Sequence, residues 1–470
     1  MAKSRKSRRR SKKPQVSISK PPVSYYGDLH QAMARFLPHV GLPLICADDR
    51  VRWAPRLLVY LAIFMAWGPG RTLLDRFNSA REALVGIYRS RKRPGETDTG
   101  FARALVKNSD GLLPVLSDHW RQCVRRVAGG CWKVGGWAPF SVDGSTFDCP
   151  RTAANEEAFG ITGKNNSGPQ QLVTCLFHVC SGLLWSWKRG GIRGNSERGQ
   201  LREMIHLLPA CALLLADAGF CGYDLLMALL GQGSSFLIRV GANVHLITKL
   251  GYEVDEHKGT VYLWPLDKQG RRRDKAMPKG LKHVKPPLVL RLIRLPMAGG
   301  KTVCLLTNVG RDRLSDAMAA RLYKMRWGIE IMWRDLKQTM SHHKVLSASP
   351  ARAQVELDWA IAGLWMLQLI SVERMIASGQ MPHCYSPASS LRVLRRGMTG
   401  KRRKRRTLAM ELTLAVKDIY CRKGSKKARH YPKKRPQRPP GEPRARMATR
   451  AERSLAQRLL KHPPPKPVAA

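Results

Sequence analysis

The order of apolar segments between residues 137 and 240 constrains this chain most. WAPFSVDGSTFDC is short, β-rich and bounded by turn signals. QLVTCLFHVCSGLLWSW, residues 171–187, reads as two strands joined at Ser181-Gly182. NSERGQLREMIHLL reads as a helix capped by Ser196. ALLLADAGF is an apolar strand that ends on an aspartate, GYDLLMALLGQG a helix closed by glycine, and SSFLIRVGAN a further strand. Strands, helix, strand, helix, strand bury their apolar faces as an α/β core, a sheet with helices packed on it.

The flanks have a different texture. Residues 25–136 are helical in pattern. ADDRVRWAPRLLVYLAIFMAWG has a capping-type start and stops at Gly68-Pro69-Gly70, and TDTGFARALVK and LLPVLSDHWRQCVRRVAGG supply two more helical stretches. After residue 240, HLITKL, TVYLWPL and LVLRLIRLP read as strands of a β-rich insertion over about 241–300. KTVCLLTNVG then returns as a buried strand. One long helix is expected from about 312 to 342 and another over VELDWAIAGLWMLQLISVERMIAS, 355–378. The first 24 residues form a basic arm without a carboxylate, and the chain beyond 421 is rich in Lys, Arg and Pro; disorder is expected in both. Five segments result: a basic arm 1–24, a helical region 25–136, an α/β domain 137–345 with the β-rich insertion, a helical region 346–420 and a basic tail 421–470.

Charge narrows the partners. The 470 residues carry a formal net charge of +50. A chain so basic repels itself unless a polyanion is near, which puts nucleic acid first and an anionic membrane surface second. The longest apolar run, LLVYLAIFMAW at 57–67, is too short to span a bilayer, and no amphipathic anchor accompanies the charge, so no membrane partner is expected. The N-terminal MAKSRKSRRRSKK has no apolar core after it, unlike a secretory signal. Eleven cysteines are scattered without a CxxC pair, and Cys175 and Cys180 lack the histidines of a zinc pattern. They read as reduced thiols in a cytoplasmic protein.

Three acidic positions carry the chemistry. YKMRWGIEIMWRDLK, 323–337, places Tyr323, Arg326, Glu330 and Lys337 within a roughly 60° arc of one helix at about 100° per residue. A simple intrahelical pair between Arg326 and Glu330 also explains that spacing. Asp143 interrupts the β-rich FSVDGSTF, and Asp217 follows the apolar run of ALLLADAGF. Either aspartate alone is explained as a cap on the following turn. Together, two strand-borne aspartates and a helix-borne glutamate can converge above one sheet, where their mutual repulsion favours a divalent cation with hard oxygen ligands.

Tyr323-x2-Arg326-x3-Glu330-x6-Lys337 resembles the YREK signature of insertion-sequence type-four transposases, with Asp143 in SVDGST and Asp217 in LADAGFCGYDLL as the two preceding acids in order. The resemblance covers about 137–345, and the β-rich stretch at 241–300 matches the family's insertion. Two departures stand out: Ala218 replaces the basic residue that relatives often place after the second aspartate, and Ser145 replaces a frequent threonine. Asp148 and Asp224 lie close to the proposed ligands, but only Asp143 and Asp217 match the motifs.

The resemblance implies a ribonuclease-H-like α/β catalytic core, preceded by a helical N-terminal domain. It implies a cut-and-paste DNA transposase. Asp143, Asp217 and Glu330 would hold two Mg²⁺ ions, with Mn²⁺ as substitute, for phosphodiester hydrolysis and strand transfer. Tyr323, Arg326 and Lys337 would contact DNA phosphates. Trp264, in the insertion, is a candidate to hold an unstacked base if excision passes through a hairpin. The partners implied are double-stranded DNA, both terminal inverted repeats and target, and a second copy in a synaptic homodimer. The location implied is the cytoplasm, on the nucleoid when DNA is bound. A catalytically inactive DNA-binding relative and a metal-dependent nuclease of the same fold are the alternatives.

Overall fold

The computed structural model describes residues 25–39, 41–42, 53–88, 94–161, 168–241, 251–255, 259–264, 286–297, 301–401, 406–418, 441–443 and 446–461. Four helices come first: α1 (Tyr25–Ala34), α2 (Pro55–Trp67), α3 (Leu73–Ile87) and α4 (Asp98–Ala128). Then follow β1 (Ala138–Asp148), α5 (Ala153–Phe159), β2 (Gln170–His178), β3 (Leu183–Gly191), α6 (Glu197–Met204), β4 (Ala212–Ala216), α7 (Tyr223–Gly231) and β5 (Ser235–Val240). The next strands are β6 (Gly251–Asp255), β7 (Thr260–Leu263), β8 (Leu288–Met297) and β9 (Lys301–Thr307). The chain continues with α8 (Asp316–Met325), α9 (Gly328–Arg334), α10 (Pro350–Ala377), α11 (Pro387–Met398), α12 (Leu408–Thr413), β10 (Arg446–Met447) and α13 (Arg450–Lys461).

The ten strands among the described residues form one mixed sheet in the order β10-β6-β7-β8-β9-β5-β4-β1-β2-β3. β4 lies parallel to both β1 and β5, while β1-β2-β3 and β5-β9-β8-β7-β6 are antiparallel. The insertion strands β6 to β8 therefore prolong the central sheet through β9. HLITKL lies outside the described residues.

β4 reads as an unbroken apolar run because both its faces are covered. Leu214 and Ala216 join the larger core; Leu213 and Leu215 join the smaller, with Trp137, Leu237, Leu305 and Leu322. The larger core is continuous with the N-terminal helices and centres on α10. α10 is 28 residues long and apolar enough to cross a membrane by composition, yet 78% of its most apolar window is buried against the rest of the chain. It behaves as a core helix, with α2, α4, β3, α11 and α12 packed around it.

Several elements differ from the sequence expectation. α2 starts at Pro55, and Ala54 offers no side-chain cap; its start is set by proline, whose missing N–H costs nothing in a first turn. The two stretches at 98–128 form one 31-residue helix that runs through Pro114, with Leu105, Leu112, Leu116 and Trp120 on its buried stripe. The helix expected over 312–342 is three pieces: α8, α9 and a π-helical turn at Asp335–Thr339. The tail beyond 421 is not wholly irregular. β10 pairs with β6, and α13 buries Leu455 and Ala456 against Tyr262 and Trp264. Its apolar residues at helical spacing found a partner in the insertion, which composition alone could not reveal. The basic arm 1–24, and 402–405 of KRRKRR, lie outside the described residues.

Candidate active site

Strand register sets the first two carboxylates side by side. Ser141 on β1 faces Leu215 on the parallel β4. Extending that register two residues past its last pair brings Asp143 and Asp217 to one level, and the period-two alternation of strands puts them on the sheet face of Leu213 and Leu215. Adjacent strands are about 4.8 Å apart, within strong electrostatic range for two carboxylates. The Asp217 carboxylate also accepts from Gly219 N at 2.8 Å, so the capping explanation is true as well.

The third carboxylate arrives on the α8–α9 corner, which covers the same face. α8 packs Ala319 and Leu322 into the smaller core, with half-buried Tyr323 against it. At the corner Gly328 comes close to Phe177 of β2; a Cβ there would stand 3.1 Å from the ring. Across the break, Arg326 Nη2 donates to Glu330 Oε1 at 2.6 Å. The pair is largely sheltered, with 14% and 29% of the two side chains exposed. The Arg326 guanidinium also lies 5.8 Å from the Tyr323 ring.

Lys337 reaches the cluster differently from the expectation of one continuous helical face. It sits in the π turn, whose wider winding turns it onto β1. Its Nζ donates to the Thr146 carbonyl at 2.8 Å and stands 4.7 Å from the centre of the Phe147 ring. Tyr323, Arg326 and Glu330 are thus joined by local contacts across a broken helix, and Lys337 by a long-range bond to β1.

Electrostatics tie these groups together. Burial first, and then Glu197, push the Asp143 carboxyl up to about 7; Arg326 opposes the rise, and Asp217 and Glu330 add to it. Burial raises the Tyr323 phenol, with Arg326, Arg239 and Asp217 as its charged neighbours. Burial lowers Lys337, against Asp148 and Asp143. Asp143 thus feels both Asp217 and Glu330. Even so, no three acidic, histidine or cysteine side chains among the described residues are gathered closely enough to hold an ion as they stand. In this arrangement Glu330 is engaged by Arg326.

Sequence reasoning passed over Glu197. It opens α6, capped by Ser196, and its carboxyl lies over Gly144, where any Cβ would overlap it. Its own carboxyl is raised by burial and by Asp217. The only sequence signal was the pairing of a cap with an acid in a first helical turn. Trp327, beside Arg326, is 60% exposed, although its neighbours Ile329, Met332 and Trp333 are buried. Trp264, in contrast, does not join the cluster. It is 5% exposed in a separate small core with Tyr262, Ala448, Leu455 and Ala456. The residues near the two aspartates sort clearly: Asp148 is exposed and accepts from Gln170, and Asp224 lies in the first turn of α7.

Comparison with known proteins agrees with this cluster. A family model described as a transposase DDE domain matches residues 139–367. The transposase InsG for insertion sequence element IS4 of Escherichia coli K12 is 29% identical over 230 residues, 47% of this chain and 49% of that protein. A curated relative from Sinorhizobium fredii is 28% identical over 176 residues, 37% of this chain and 47% of its own length. The chain spans about half the length of the curated relatives it matches. A solved piggyBac transposase synaptic complex with hairpin DNA overlaps 83% of this chain and 74% of its own, at 14% identity and a TM-score of 0.36, too loose a likeness to bear on the fold. The matched segment spans β1 to α10 and contains Asp143, Asp217 and Glu330, and over it the chain is similar to DDE transposases of insertion sequences.

Proposed function

We propose that this protein is a DNA transposase that moves an insertion sequence by cut-and-paste, cleaving and joining strands at terminal inverted repeats. The observation that carries the reading is the register of β1 and β4, which sets Asp143 beside Asp217 under the Arg326–Glu330 corner. The strand order β3-β2-β1-β4-β5, with the first three antiparallel and the rest parallel, supports a ribonuclease-H-like core.

The donor set fits hard divalent cations. Its oxygens are carboxylate, no thiol or imidazole belongs to it, and burial first and then its acidic neighbours disfavour Asp143 as a bare anion. Asp143, Asp217 and Glu330 would hold Mg²⁺ or Mn²⁺, which supplies Lewis-acid activation of the attacking oxygen and charge neutralisation at phosphorus. The chain's own residues do the rest. Lys337, anchored on Thr146, holds a cation beside β1, and Arg326 holds Glu330 in place while facing Asp143. Tyr323 fixes Arg326 from below. DNA passing over this corner meets Arg326, Lys337 and the exposed Trp327. The N-terminal helices recognise the transposon ends, α10 to α12 support a synaptic homodimer, and the protein works in the cytoplasm on nucleoid DNA.

The test is product analysis with the purified chain, Mn²⁺ and duplexes of the sequence flanking its gene. Joined products support a transposase, cut products alone a nuclease, and binding without nicking an inactive relative. Asp143→Asn, Asp217→Asn and Glu330→Gln are each expected to lower nicking by at least about 10³-fold, with DNA binding retained. Wild-type nicking by all three variants would remove the carboxylates from the chemistry.

A further inference from the structure

The two signature cations lie on the Glu330 side of the site, and each carries one internal bond. Arg326 is paired with Glu330, and Lys337 is bonded to Thr146. On the side of Asp217 the position after the aspartate is Ala218, which carries no charge. The structure brings a cation there by another route. α6 packs against β1 and the turn at Ala218–Phe220, and its second residue, Arg198, reaches over that turn. Arg198 Nε donates to the Gly219 carbonyl. The N–H of the same glycine donates to the Asp217 carboxylate at 2.8 Å. One residue, Gly219, therefore links the aspartate to the arginine. The guanidinium lies over Gly222, where a Cβ would stand 3.4 Å from Nη1.

We propose that Arg198 is a further substrate-binding residue of this site, a guanidinium whose outer nitrogens take a phosphate of the DNA strand lying against Asp217. The proposal rests on the reading of the site as a DNA-cleaving centre. Arg198 is exposed, and it makes no ion pair with a carboxylate among the described residues. With Nε committed to Gly219, the plane of the guanidinium is fixed and its two Nη groups remain as a fork, the geometry that matches a phosphate through two parallel bonds. Glu197, the preceding residue, lies on Gly144 beside Asp143 and acts as a positioning residue, so one helical turn touches both aspartate-bearing segments. Gly144 and Gly222 leave room for the two side chains.

The test uses the full chain. Binding to a duplex of the gene's flanking sequence is followed by fluorescence anisotropy over about 50–300 mM salt, with Ca²⁺ present. Nicking of a plasmid carrying that sequence is followed in Mn²⁺. Arg198→Gln keeps a donor for the Gly219 carbonyl and removes the charge; Arg198→Lys keeps the charge. For Arg198→Gln the salt slope is expected to become shallower by about 0.9, one phosphate contact, with nicking down about tenfold or more. Arg198→Lys is expected to hold the slope and recover part of the rate. An Arg198→Gln protein with the wild-type slope and rate overturns the proposal, as does one that matches Arg198→Lys, since Gly219 bonding alone would then be the role. Asp143→Asn separates the two levels: if it nicks like wild type, the site reading itself fails, and if it is dead while Arg198→Gln is unchanged, only Arg198 is misassigned.

Discussion

A buried imidazole shows how single residues here are fixed by remote contacts. His342 lies beyond the π turn. Its Nε2 donates to the Ala66 carbonyl at 2.9 Å, and its Nδ1 accepts from Arg76 at 3.2 Å, which defines a neutral ring. Burial first, then Arg76, bring it down to about 4. His178, bonded to Trp132 and Ser181, is likewise brought to about 4 by burial. The unfolded chain takes up these protons near pH 6.5 and the folded chain only near 4, so stability is full above 6.5 and lost as pH falls through that window. Each histidine is expected to cost roughly 2 kcal/mol between pH 7 and 5, read from urea midpoints. A His342→Gln variant should be less stable at pH 7 and show a shallower pH slope; an unchanged slope would mean the ring is charged in the fold. Trp264 teaches a related lesson. Its place in a charged, glycine-punctuated insertion suggested a ring available to DNA, but α13 covers it. The apolar residues that do so lie nearly two hundred positions away, beyond any local reading of sequence.

At the scale of elements, packing decided where helices break and how closely they approach. α2 meets α10 at Gly363, where Trp67 Nε1 donates to the Gly363 carbonyl at 2.8 Å and a Cβ would overlap that of Ala66. Ala66 is a helical residue with no flexible end to swing aside. Gly363→Ala is therefore expected to destabilise the fold by about 1–3 kcal/mol, measured by denaturant unfolding, although alanine is the better helix former. A gain in stability would show that the two helices can part freely. The α8–α9 corner follows the same logic. The 100° periodicity correctly grouped Tyr323, Arg326 and Glu330, because an i, i+4 pair survives a small break. It did not foresee the π turn that lays Lys337 on Thr146, because that geometry depends on β1 passing underneath.

For the whole molecule the dominant quantity is charge. A net +50 on 470 residues is expected to make the proposed DNA binding strongly salt-dependent, with a steep negative slope of log K against log salt. The cations at 401–405 follow α11, whose last turn carries Arg395 and Arg396. Replacing those five with glutamine is expected to make the slope shallower by several units, at about 0.9 per phosphate contact. An unchanged slope would confine them to a solvated surface. The charge does not prevent compact folding, because the sheet and α10 bury an apolar core continuous from α1 to α12.

By itself the sequence determined the succession of strands and helices, the basic character of the surface and the identity of the three acids with their accompanying phenol and cations. These follow from side-chain chemistry and local periodicity, which need no partner to be read. Only the tertiary structure decided that Asp143 and Asp217 stand level, that Glu197 and Arg198 enter from α6, that Lys337 turns onto β1 and that Trp264 is sealed away. Strand register and helix contact are settled by surfaces meeting across long stretches of chain, and a one-residue shift in either would move every one of these side chains.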